Sequence, residues 1–145
     1  MCKIRNSAKA IIIKDGKLLC TKNKDQFGVF YLLPGGGQKP FETIICALKR
    51  ECREEISAEI IVKDILFVRD YIGKNHEFGE WDFKDHQIEY MFDCEIIKNT
   101  EIKKGETPDN MQIGVSWLNL DELNKYRFYP KKLKDYINED GIIKN

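Results

Sequence analysis

Three glutamates stand close together in the sequence, at positions Glu51, Glu54 and Glu55. Because positions i, i+3 and i+4 lie on one face of an α-helix, a helix here would bring three carboxylates onto a single surface. Like charges in such a group repel one another unless something positive lies among them. Carboxylate oxygens are ligands that Mg²⁺ prefers. The spacing therefore favours a divalent metal site and metal-assisted chemistry on a phosphate-bearing substrate.

The residues around these glutamates predict a strand, a glycine turn and a helix in succession. Residues 29–34 form a short apolar strand, and the glycines at 35–37 form a turn whose backbone can take positive φ or approach a ligand closely. The helix is expected to begin near Pro40 and to run to about Ile56, with Ser57 at its end. We expect the acidic face beside its buried stripe, which holds Ile45, Leu48, Cys52 and Ile56.

The rest of the chain alternates between strand and helix patterns. Residues 8–23 are typical of a β-hairpin that turns at Asp15 and Gly16. Further strands are predicted at residues 59–72, 88–96 and 112–118, and short helices at 121–124 and from 130 to about 139. This interleaving predicts an α/β fold with a mixed sheet covered by helices, in a single domain over residues 1–145.

Composition limits the class of protein. The chain has 145 residues, of which 42% are hydrophobic and 33% charged, as in a globular domain. Lys plus Arg and Asp plus Glu both number 24, so the net charge is zero and no stable nucleic-acid partner is expected. No apolar run approaches the ~20 residues of a membrane span and no signal peptide is evident, so we expect a cytoplasmic protein without membrane contact.

The cysteines are odd in number and irregular in spacing: Cys2, Cys20, Cys46, Cys52 and Cys94. They form no CxxC pair and no cluster with histidine, so free thiols in a reducing compartment are expected. Cys46 and Cys52 fall within the predicted helix and are expected to be packing residues rather than nucleophiles.

The glutamates belong to a longer pattern that resembles the Nudix box, GX5EX7REUXEEXGU, in which U is a bulky apolar residue. The six fixed positions that match are Gly36, Glu42, Arg50, Glu51, Glu54 and Glu55. With each residue type at about 6–7% of average usage, a chance match has a probability of about 10⁻⁷ per starting point. Ser57 and Ala58 depart from the pattern, but both lie at the helix exit rather than among the carboxylates.

The resemblance covers most of the chain, including the upstream hairpin, the YLLPGG entry into the box and the late GVSWLNLDEL segment. It implies the Nudix α/β/α sandwich, a mixed β-sheet flanked by helices. It also implies a hydrolase that uses Mg²⁺ or Mn²⁺ to cleave a nucleoside diphosphate linked to another moiety, through attack of water at phosphorus. Nucleotide sugars, ADP-ribose and nucleoside triphosphates are substrates of this kind.

The resemblance also assigns roles to the matched positions. Glu54 and Glu55 would be the main metal ligands, and the Gly35 carbonyl would complete the shell. Glu51 would bind a second metal or help to activate water. Arg50 would orient a neighbouring glutamate through a charge-assisted hydrogen bond. Support of the loop would come from Gly36 and Glu42.

One acidic group that some relatives supply is missing. It would come directly before the tryptophan of the late strand, where this chain has Ser116 before Trp117. Either the box carboxylates suffice, or another acidic residue acts as the base. The candidates are Glu77, Glu80, Asp82, Asp85, Glu89, Glu106 and Asp109.

Substrate choice is expected to lie outside the box. The loop at residues 73–87 is long enough to be functional, and its aromatic residues, including Trp81, could stack on a base, pack the loop or form a dimer contact. His86 could contact phosphate or be an ordinary surface histidine. Tyr31 and Phe27 are further candidates for a base pocket, with core packing as the alternative.

Other functions of the same pattern stay open. A catalytically silent Nudix domain that senses a nucleotide would keep the fold, but such domains usually lose box carboxylates that this chain retains. An enzyme that sanitises oxidised nucleoside triphosphates would differ only in its substrate. RNA cap removal would require a basic surface that binds RNA, and the balanced charge argues against one. A homodimer also stays open.

Overall fold

A four-stranded sheet, a five-stranded sheet and an α-helix dominate the computed structural model, which describes residues 3–73, 85–97, 101–105, 111–138 and 140–142. The strands are β1 (Ile4–Ile11), β2 (Ile13–Lys14), β3 (Lys17–Asp25), β4 (Gly28–Leu32), β5 (Gly35–Gly37), β6 (Ile60–Ile72), β7 (His86–Ile96), β8 (Gln112–Asn119), β9 (Phe128–Tyr129), β10 (Ile137–Asn138) and β11 (Gly141–Ile142). The α-helix α1 spans Ile44–Ile56, and two short 3-10 helices span Leu120–Lys125 and Lys131–Tyr136. Within these described ranges, none of the helices is long and apolar enough to cross a membrane.

Both sheets are mixed. The four-stranded sheet has the order β5–β1–β7–β6, with β1 parallel to β7 and the other neighbours antiparallel. In the five-stranded sheet, β3 pairs antiparallel with β2, β4 and β8, and β9 joins β4 in parallel. β10 and β11 form a separate antiparallel pair. The predicted α/β class with mixed strand pairing is therefore confirmed, with most strands divided between the two larger sheets.

The predicted hairpin at residues 8–23 is correct at its turn and wrong in its first strand. Asp15 and Gly16 have φ of 53° and 73°, and they join β2 to β3 in antiparallel pairing. β1, however, pairs with β5 and β7 instead of β3. The chain changes sheet at Ile12, whose carbonyl accepts a hydrogen bond from the Leu19 N–H at 2.9 Å. Turn chemistry is local, whereas the partners of β1 depend on packing with distant residues.

Alternate residues of β1 face two different cores. Ala8 and Ala10 pack with α1, in a core that also contains Leu48 of the helix. Ile11 belongs to a second core on the other face, which includes residues of both 3-10 helices. Because side chains alternate along a strand, Lys9 lies on the face of β1 that is turned away from α1.

The helix α1 begins at Ile44 rather than near Pro40, so the predicted start is wrong. Thr43 is the N-cap, and its hydroxyl accepts a hydrogen bond from a backbone N–H of the first turn at 3.1 Å. Phe41 has φ of 66°, a left-handed conformation that cannot begin a right-handed helix. The predicted end is confirmed, because the helix stops at Ile56 and Ser57 follows with φ of 57°.

The buried stripe of α1 is partly as predicted. Leu48, Cys52 and Ile56 are buried, but Ile45 is 42% exposed, and the preceding Ile44 packs against the core instead. The prediction that Cys46 is a packing residue is also wrong, since it is exposed. The cap at residue 43 fixes the first turn in a position where residue 44 faces the sheet.

The cysteines of the described segments are free, as predicted for those that the structure covers: Cys20, Cys46, Cys52 and Cys94. Burial raises the pKa of the Cys20 and Cys52 thiols well above their usual range and that of Cys94 to about 12. These three groups therefore stay protonated at neutral pH and are packing residues, not nucleophiles.

The three glycines at 35–37 form the short strand β5 and not the predicted turn. Gly35 has φ of 140°, and a Cβ there would lie 2.0 Å from the Ala8 carbonyl oxygen. Only a residue without a side chain allows this close approach between β5 and β1. The pairing fixes β5, which precedes α1, beside β1 at one edge of the four-stranded sheet.

The elements after α1 lie close to their predicted positions, except for the last helix, which is shorter than predicted. The strands predicted at 59–72, 88–96 and 112–118 correspond to β6, β7 and β8, and the helix predicted at 121–124 is the 3-10 helix Leu120–Lys125. The helix predicted from 130 to about 139 is instead the 3-10 helix Lys131–Tyr136 followed by β10. Its apolar residues Leu133 and Ile137 still reach the second core.

Candidate active site

Arg50 is the centre of a network on α1. Its Nε and Nη2 donate to the two carboxylate oxygens of Glu42 at 2.8 and 3.0 Å. Its Nη1 donates to Glu51 at 3.0 Å and to Glu54 at 3.3 Å, and its Nη2 also donates to the Gly37 carbonyl at 3.0 Å. One guanidinium therefore fixes three carboxylates and ties them to the glycine strand.

Glu42 and Arg50 keep their charges at neutral pH. Hydrogen bonds from Arg50 and from the Lys39 backbone N–H lower the pKa of Glu42 to about 2. The same Glu42 contact, and then that of Glu51, raises the pKa of Arg50 above its already high value. Arg50 thus supplies part of the positive charge that the clustered glutamates require.

The acidic face of α1 was expected to lie beside its buried stripe. Glu55 is itself buried, so this expectation is wrong for Glu55. It is 3% exposed, and its Oε1 accepts a hydrogen bond from the Gly35 N–H at 2.7 Å. The Gly35 carbonyl accepts a hydrogen bond from Lys9 Nζ at 3.4 Å. Both backbone groups of Gly35 are therefore tied to charged side chains, and this brings together two residues predicted to bind metal.

Gly36 provides the space for a carboxylate. A Cβ at this position would lie 2.5 Å from Cδ of Glu51 and 2.6 Å from its Oε1. Any side chain would push that carboxylate away from the strand. The glycine at the start of the box pattern therefore positions Glu51 through the atoms that it lacks.

The C-terminal end of α1 is held by a segment that the sequence did not indicate. The Gly105 N–H and the Gln112 side-chain amide donate to the Glu55 carbonyl at 3.0 and 2.8 Å. A Cβ at Gly105 would lie 1.8 Å from the Glu54 carbonyl oxygen. These contacts satisfy the Glu55 carbonyl at the helix end and fix the turn that carries Glu54 and Glu55. In the sequence, the only indication of this contact is Gly105 itself, a glycine among mostly polar residues.

The donor set suits a hard divalent cation. Glu51, Glu54, Glu55 and the Gly35 carbonyl offer oxygen ligands, which are the kind that Mg²⁺ and Mn²⁺ prefer. In the part of the chain that the structure describes, no group of three or more His, Cys, Asp or Glu side chains is arranged to hold a metal ion. The Arg50 guanidinium lies between Glu51 and Glu54, so a cation would share these carboxylates with it.

The candidates for an additional base are dispersed. Ser116 lies on β8 opposite Cys20 of β3. Asp85 and Glu89 border a cavity described below, and Glu89 is 8% exposed. The remaining acidic candidates lie outside the described residues: Glu77, Glu80, Asp82, Glu106 and Asp109.

The residues predicted to bind substrate do not form one group. Phe27 is 68% exposed in the turn between β3 and β4. Tyr31 is half-buried and packs edge-on against Tyr126, with ring centroids 5.4 Å apart. His86 begins β7 and lies 2.7 Å from a carboxylate oxygen of Asp70. The predicted residue Trp81 and most of its loop lie outside the described residues.

A cavity of about 160 Å³ lies where the four-stranded sheet meets β4 and β9, and we call it the inter-sheet cavity. Arg69 on its wall donates from Nε to Glu89 Oε1 at 2.6 Å, and Lys9 is on the wall nearest β5. Arg69 and Lys9 could have been noticed in the sequence because each is a charged residue within a mainly apolar strand. The full lining is Lys9, Leu32, Leu33, Arg69, Tyr71, Asp85, Gln87, Glu89, Tyr129 and Pro130.

A family model and a relative of known name both match this chain. The family model of the NUDIX domain matches residues 3–137. The chain is 35% identical over 102 residues to nucleoside triphosphatase NudI from Escherichia coli O1:K1 / APEC, a match that covers 66% of this chain and 71% of that protein.

Two solved structures illustrate the similarity of fold. A NUDIX hydrolase from Nitrosomonas europaea has a TM-score of 0.70 at 16% identity, covering 92% of this chain and 85% of the other. A MutT NUDIX hydrolase from Burkholderia pseudomallei has a TM-score of 0.68 at 20% identity, covering 91% and 95%. At these identities the structures establish the shared fold.

Proposed function

Because this chain belongs to the Nudix hydrolase family, we propose that it hydrolyses a phosphoric anhydride bond of a nucleoside triphosphate with Mg²⁺ or Mn²⁺. The observation that carries the proposal is the Arg50 network, which gathers Glu42, Glu51 and Glu54 beside the glycine strand. The name of the NudI relative supports a triphosphate as the substrate.

The metal would be held by Glu54, Glu55 and the Gly35 carbonyl, with Glu51 as a further oxygen donor. A bound divalent cation neutralises phosphate charge and lowers the pKa of a bound water. The bond from the Gly35 N–H to Glu55 supports this assignment, because it holds a proposed carboxylate ligand beside a proposed carbonyl ligand. Both ligands would then be fixed by β5 before any metal binds.

Arg50 would be a positioning residue. Its two Nη1 contacts hold Glu51 and Glu54 at the distances given above, and its bidentate contact with Glu42 fixes the guanidinium itself. Lysine could not make this set of bonds, because an ammonium lacks the planar fork of donors. The carboxylates would therefore stay oriented as substrate arrives.

Glu51 would act as the base. Water attacks phosphorus, the anhydride P–O bond breaks, and the leaving phosphate keeps the electron pair while the water proton passes to Glu51. Ser116, where some relatives have an acidic residue, carries a hydroxyl that is not a base at neutral pH. Our proposal assigns this step to the carboxylates of the box.

A substrate panel tests the proposal. Common and oxidised nucleoside triphosphates, ADP-ribose, nucleotide sugars and dinucleoside polyphosphates are incubated with Mg²⁺, and the products are separated and identified. We expect turnover of at least one triphosphate. A Glu51→Gln variant serves as the control against contaminating phosphatases, and it should lose most of this activity.

The other outcomes discriminate the alternatives. Turnover of ADP-ribose or nucleotide sugars alone would replace the triphosphate with another diphosphate-linked substrate. Nucleotide-induced thermal stabilisation with no turnover of any compound would identify a sensing domain and reject the hydrolytic proposal.

A further inference from the structure

Lys9 is a charged residue in an otherwise buried part of β1. Its neighbours in the strand, Ala8 and Ala10, are fully buried, whereas Lys9 is half-buried and lies opposite Gly35 of β5. Its Nζ donates to the Gly35 carbonyl at 3.4 Å, and in the segments that the structure describes this is its one hydrogen bond. An ammonium group therefore lies at one of the oxygens that we propose as metal ligands.

The backbone determines where this ammonium lies. β1 and β5 pair antiparallel, with Lys9 in register with Gly35. A Cβ on residue 35 would lie 2.9 Å from the Lys9 Cα and 2.0 Å from the Ala8 carbonyl oxygen, so the strands approach this closely only because residue 35 is a glycine. The lysine side chain therefore starts beside the residue whose carbonyl its ammonium reaches.

Other roles for this charge are less consistent with the contacts. A lysine on the wall of the inter-sheet cavity could be a counter-ion for Glu89, but Glu89 is bonded to Arg69 at 2.6 Å. Asp85, on the same wall, accepts a hydrogen bond from the Gln87 side chain at 2.7 Å. A half-buried ammonium loses hydration, and a methionine of similar length would fill the space without that cost. The glycine carbonyl is the contact that accounts for a lysine here.

The acidic site already contains positive charge from the chain itself. Arg50 is bonded to three of its carboxylates, and Lys9 is linked to the fourth through the backbone of Gly35. The exposed side chains of Arg5 and Lys39 also lie nearby, where solvent screens their charges. Among the described residues of this site, the four carboxylates therefore exceed the two less exposed cations by two negative charges, the amount that one divalent cation neutralises. The four are Glu42, Glu51, Glu54 and Glu55.

The Gly35 carbonyl limits how many cations can gather beside it. A carbonyl oxygen has two lone pairs, and Lys9 uses one of them. One acceptor position is left for a divalent cation. Cations that share an oxygen repel each other, and the repulsion increases where side chains are shielded from water. A second divalent cation would meet both the first one and the ammonium, so Lys9 excludes it.

We propose that the Lys9 ammonium takes the place of a second divalent cation, so that the carboxylates of the box bind a single one in the absence of substrate. This inference rests on the proposed function for the identity of the metal ligands, but the number of bound cations can be measured without turnover. With one cation, Glu51 need not hold a second metal, which suits its proposed role as the base. Lys9 is a positioning residue in this account and takes no part in breaking the bond.

Metal binding to the full chain without nucleotide tests the proposal. Mn²⁺ is titrated into metal-free protein, and the electron paramagnetic resonance signal of free Mn²⁺ gives the number of ions bound per chain and their Kd. Wild type should bind one ion. Lys9→Met, which is similar in length but uncharged, should bind two, and the Kd of its tighter site should fall at least about tenfold because a like charge is removed. Lys9→Arg keeps the charge and should bind one.

Two controls separate the charge at this site from other effects. Lys17→Met removes the same charge from an exposed position of β3 opposite Asn119, and it should bind Mn²⁺ as wild type does. Thermal unfolding of the metal-free proteins shows whether Lys9→Met is folded. If it is not, Lys9→Gln, which keeps a polar end without the charge, replaces it in the titration and should also bind two ions.

Two Mn²⁺ ions per wild-type chain would overturn the inference, and so would a folded Lys9→Met that binds the same number of ions with the same Kd as wild type. One ion in wild type and two in Lys9→Met, together with no hydrolysis in the substrate panel, would support the inference and reject the proposed function. Hydrolysis by a wild-type chain that binds two ions would do the reverse. No Mn²⁺ binding to either protein would reject the metal site and both proposals with it.

Discussion

Two arginines hold carboxylates in this molecule, and the balance of charge around them differs. Arg50 bridges three glutamates of the box, and a fourth carboxylate, Glu55, lies buried beside them. Arg69 faces Glu89, with Lys9 on the same cavity wall. The first region keeps an excess of negative charge, which suits a divalent cation and phosphate. The second is close to balanced, because Lys9 and Arg69 line the same cavity as Asp85 and Glu89.

The largest expected difference between these regions comes from replacing each arginine with lysine. Arg50→Lys should lower kcat by about 10- to 100-fold, because residues that orient metal ligands have effects of this size. Arg69→Lys should leave kcat close to that of wild type, since Arg69 lies on the cavity wall away from α1. Steady-state kinetics with a nucleoside triphosphate that the wild type hydrolyses measure both values of kcat. Equal losses of kcat in the two variants would show that the regions do not have separate roles.

A second comparison uses two glycines. Gly36→Ala should lower kcat by about tenfold, because the new Cβ would displace the Glu51 carboxylate, and small misplacements of reacting groups are costly. Stability should change little, since the displaced atoms are the far end of a flexible side chain. Gly114→Ala on β8 is the control, because its Cβ would meet no atom within 4 Å. Full activity of Gly36→Ala would remove the argument that this glycine positions Glu51.

The free energy of unfolding should fall at low pH partly because of the Arg50 region. Arg50 depresses the folded-state pKa of Glu42 to about 2, below the unfolded value near 4.3. The stabilisation is therefore fully present above about pH 4.3 and is lost as the pH falls toward 2. Urea unfolding at pH 5.5 and at pH 2.5 should show a smaller decline in stability for Glu42→Gln than for wild type. Asp25, whose pKa is lowered by Arg127, titrates in both proteins and cancels in the comparison. Parallel declines would contradict the assignment.

The smallest expected effect lies at the end of α1, away from both arginines. Ser57 has φ of 57°, a conformation that costs a non-glycine residue about 1–2 kcal/mol. Glycine would relieve this cost but lose more entropy on folding, so Ser57→Gly should raise the free energy of unfolding by about 0.5 kcal/mol. Activity should not change. Urea unfolding measures the gain, and Ser57→Ala, which keeps the strain, is the control. A loss of stability in Ser57→Gly would show that the serine makes a favourable contact there.

The two regions also differ in how far the sequence could predict them. The box residues from Gly36 to Glu55 lie within one strand–helix unit, so helical periodicity places Glu51 and Glu54 on one face before any tertiary structure is known. The pair Arg69 and Glu89 forms only because β6 and β7 align in one register. That register depends on packing across the sheet, which periodicity along a single segment does not contain.

The errors within α1 have the same origin. Pro40 is a good first-turn residue in isolation, but the left-handed Phe41 and the cap at Thr43 delay the start of the helix. The backbone requirement at Gly35 could be predicted only as unusual φ or close approach to a ligand, because the group it approaches, the Ala8 carbonyl, comes from a distant strand. The same is true of Gly105, which reaches the helix end from a loop far along the chain.

The central claim is that the carboxylates of α1 hydrolyse a nucleotide with a divalent metal. The most direct test is the rate of triphosphate hydrolysis as a function of Mg²⁺ concentration for wild type, Glu54→Gln and Glu59→Gln. Glu59 is the matched control, because it is 53% exposed and pairs with Arg53 outside the network. We predict saturable Mg²⁺ dependence in wild type and Glu59→Gln, and a loss of at least about 100-fold in kcat for Glu54→Gln. Turnover without metal, or equal rates for the two variants, would contradict the claim.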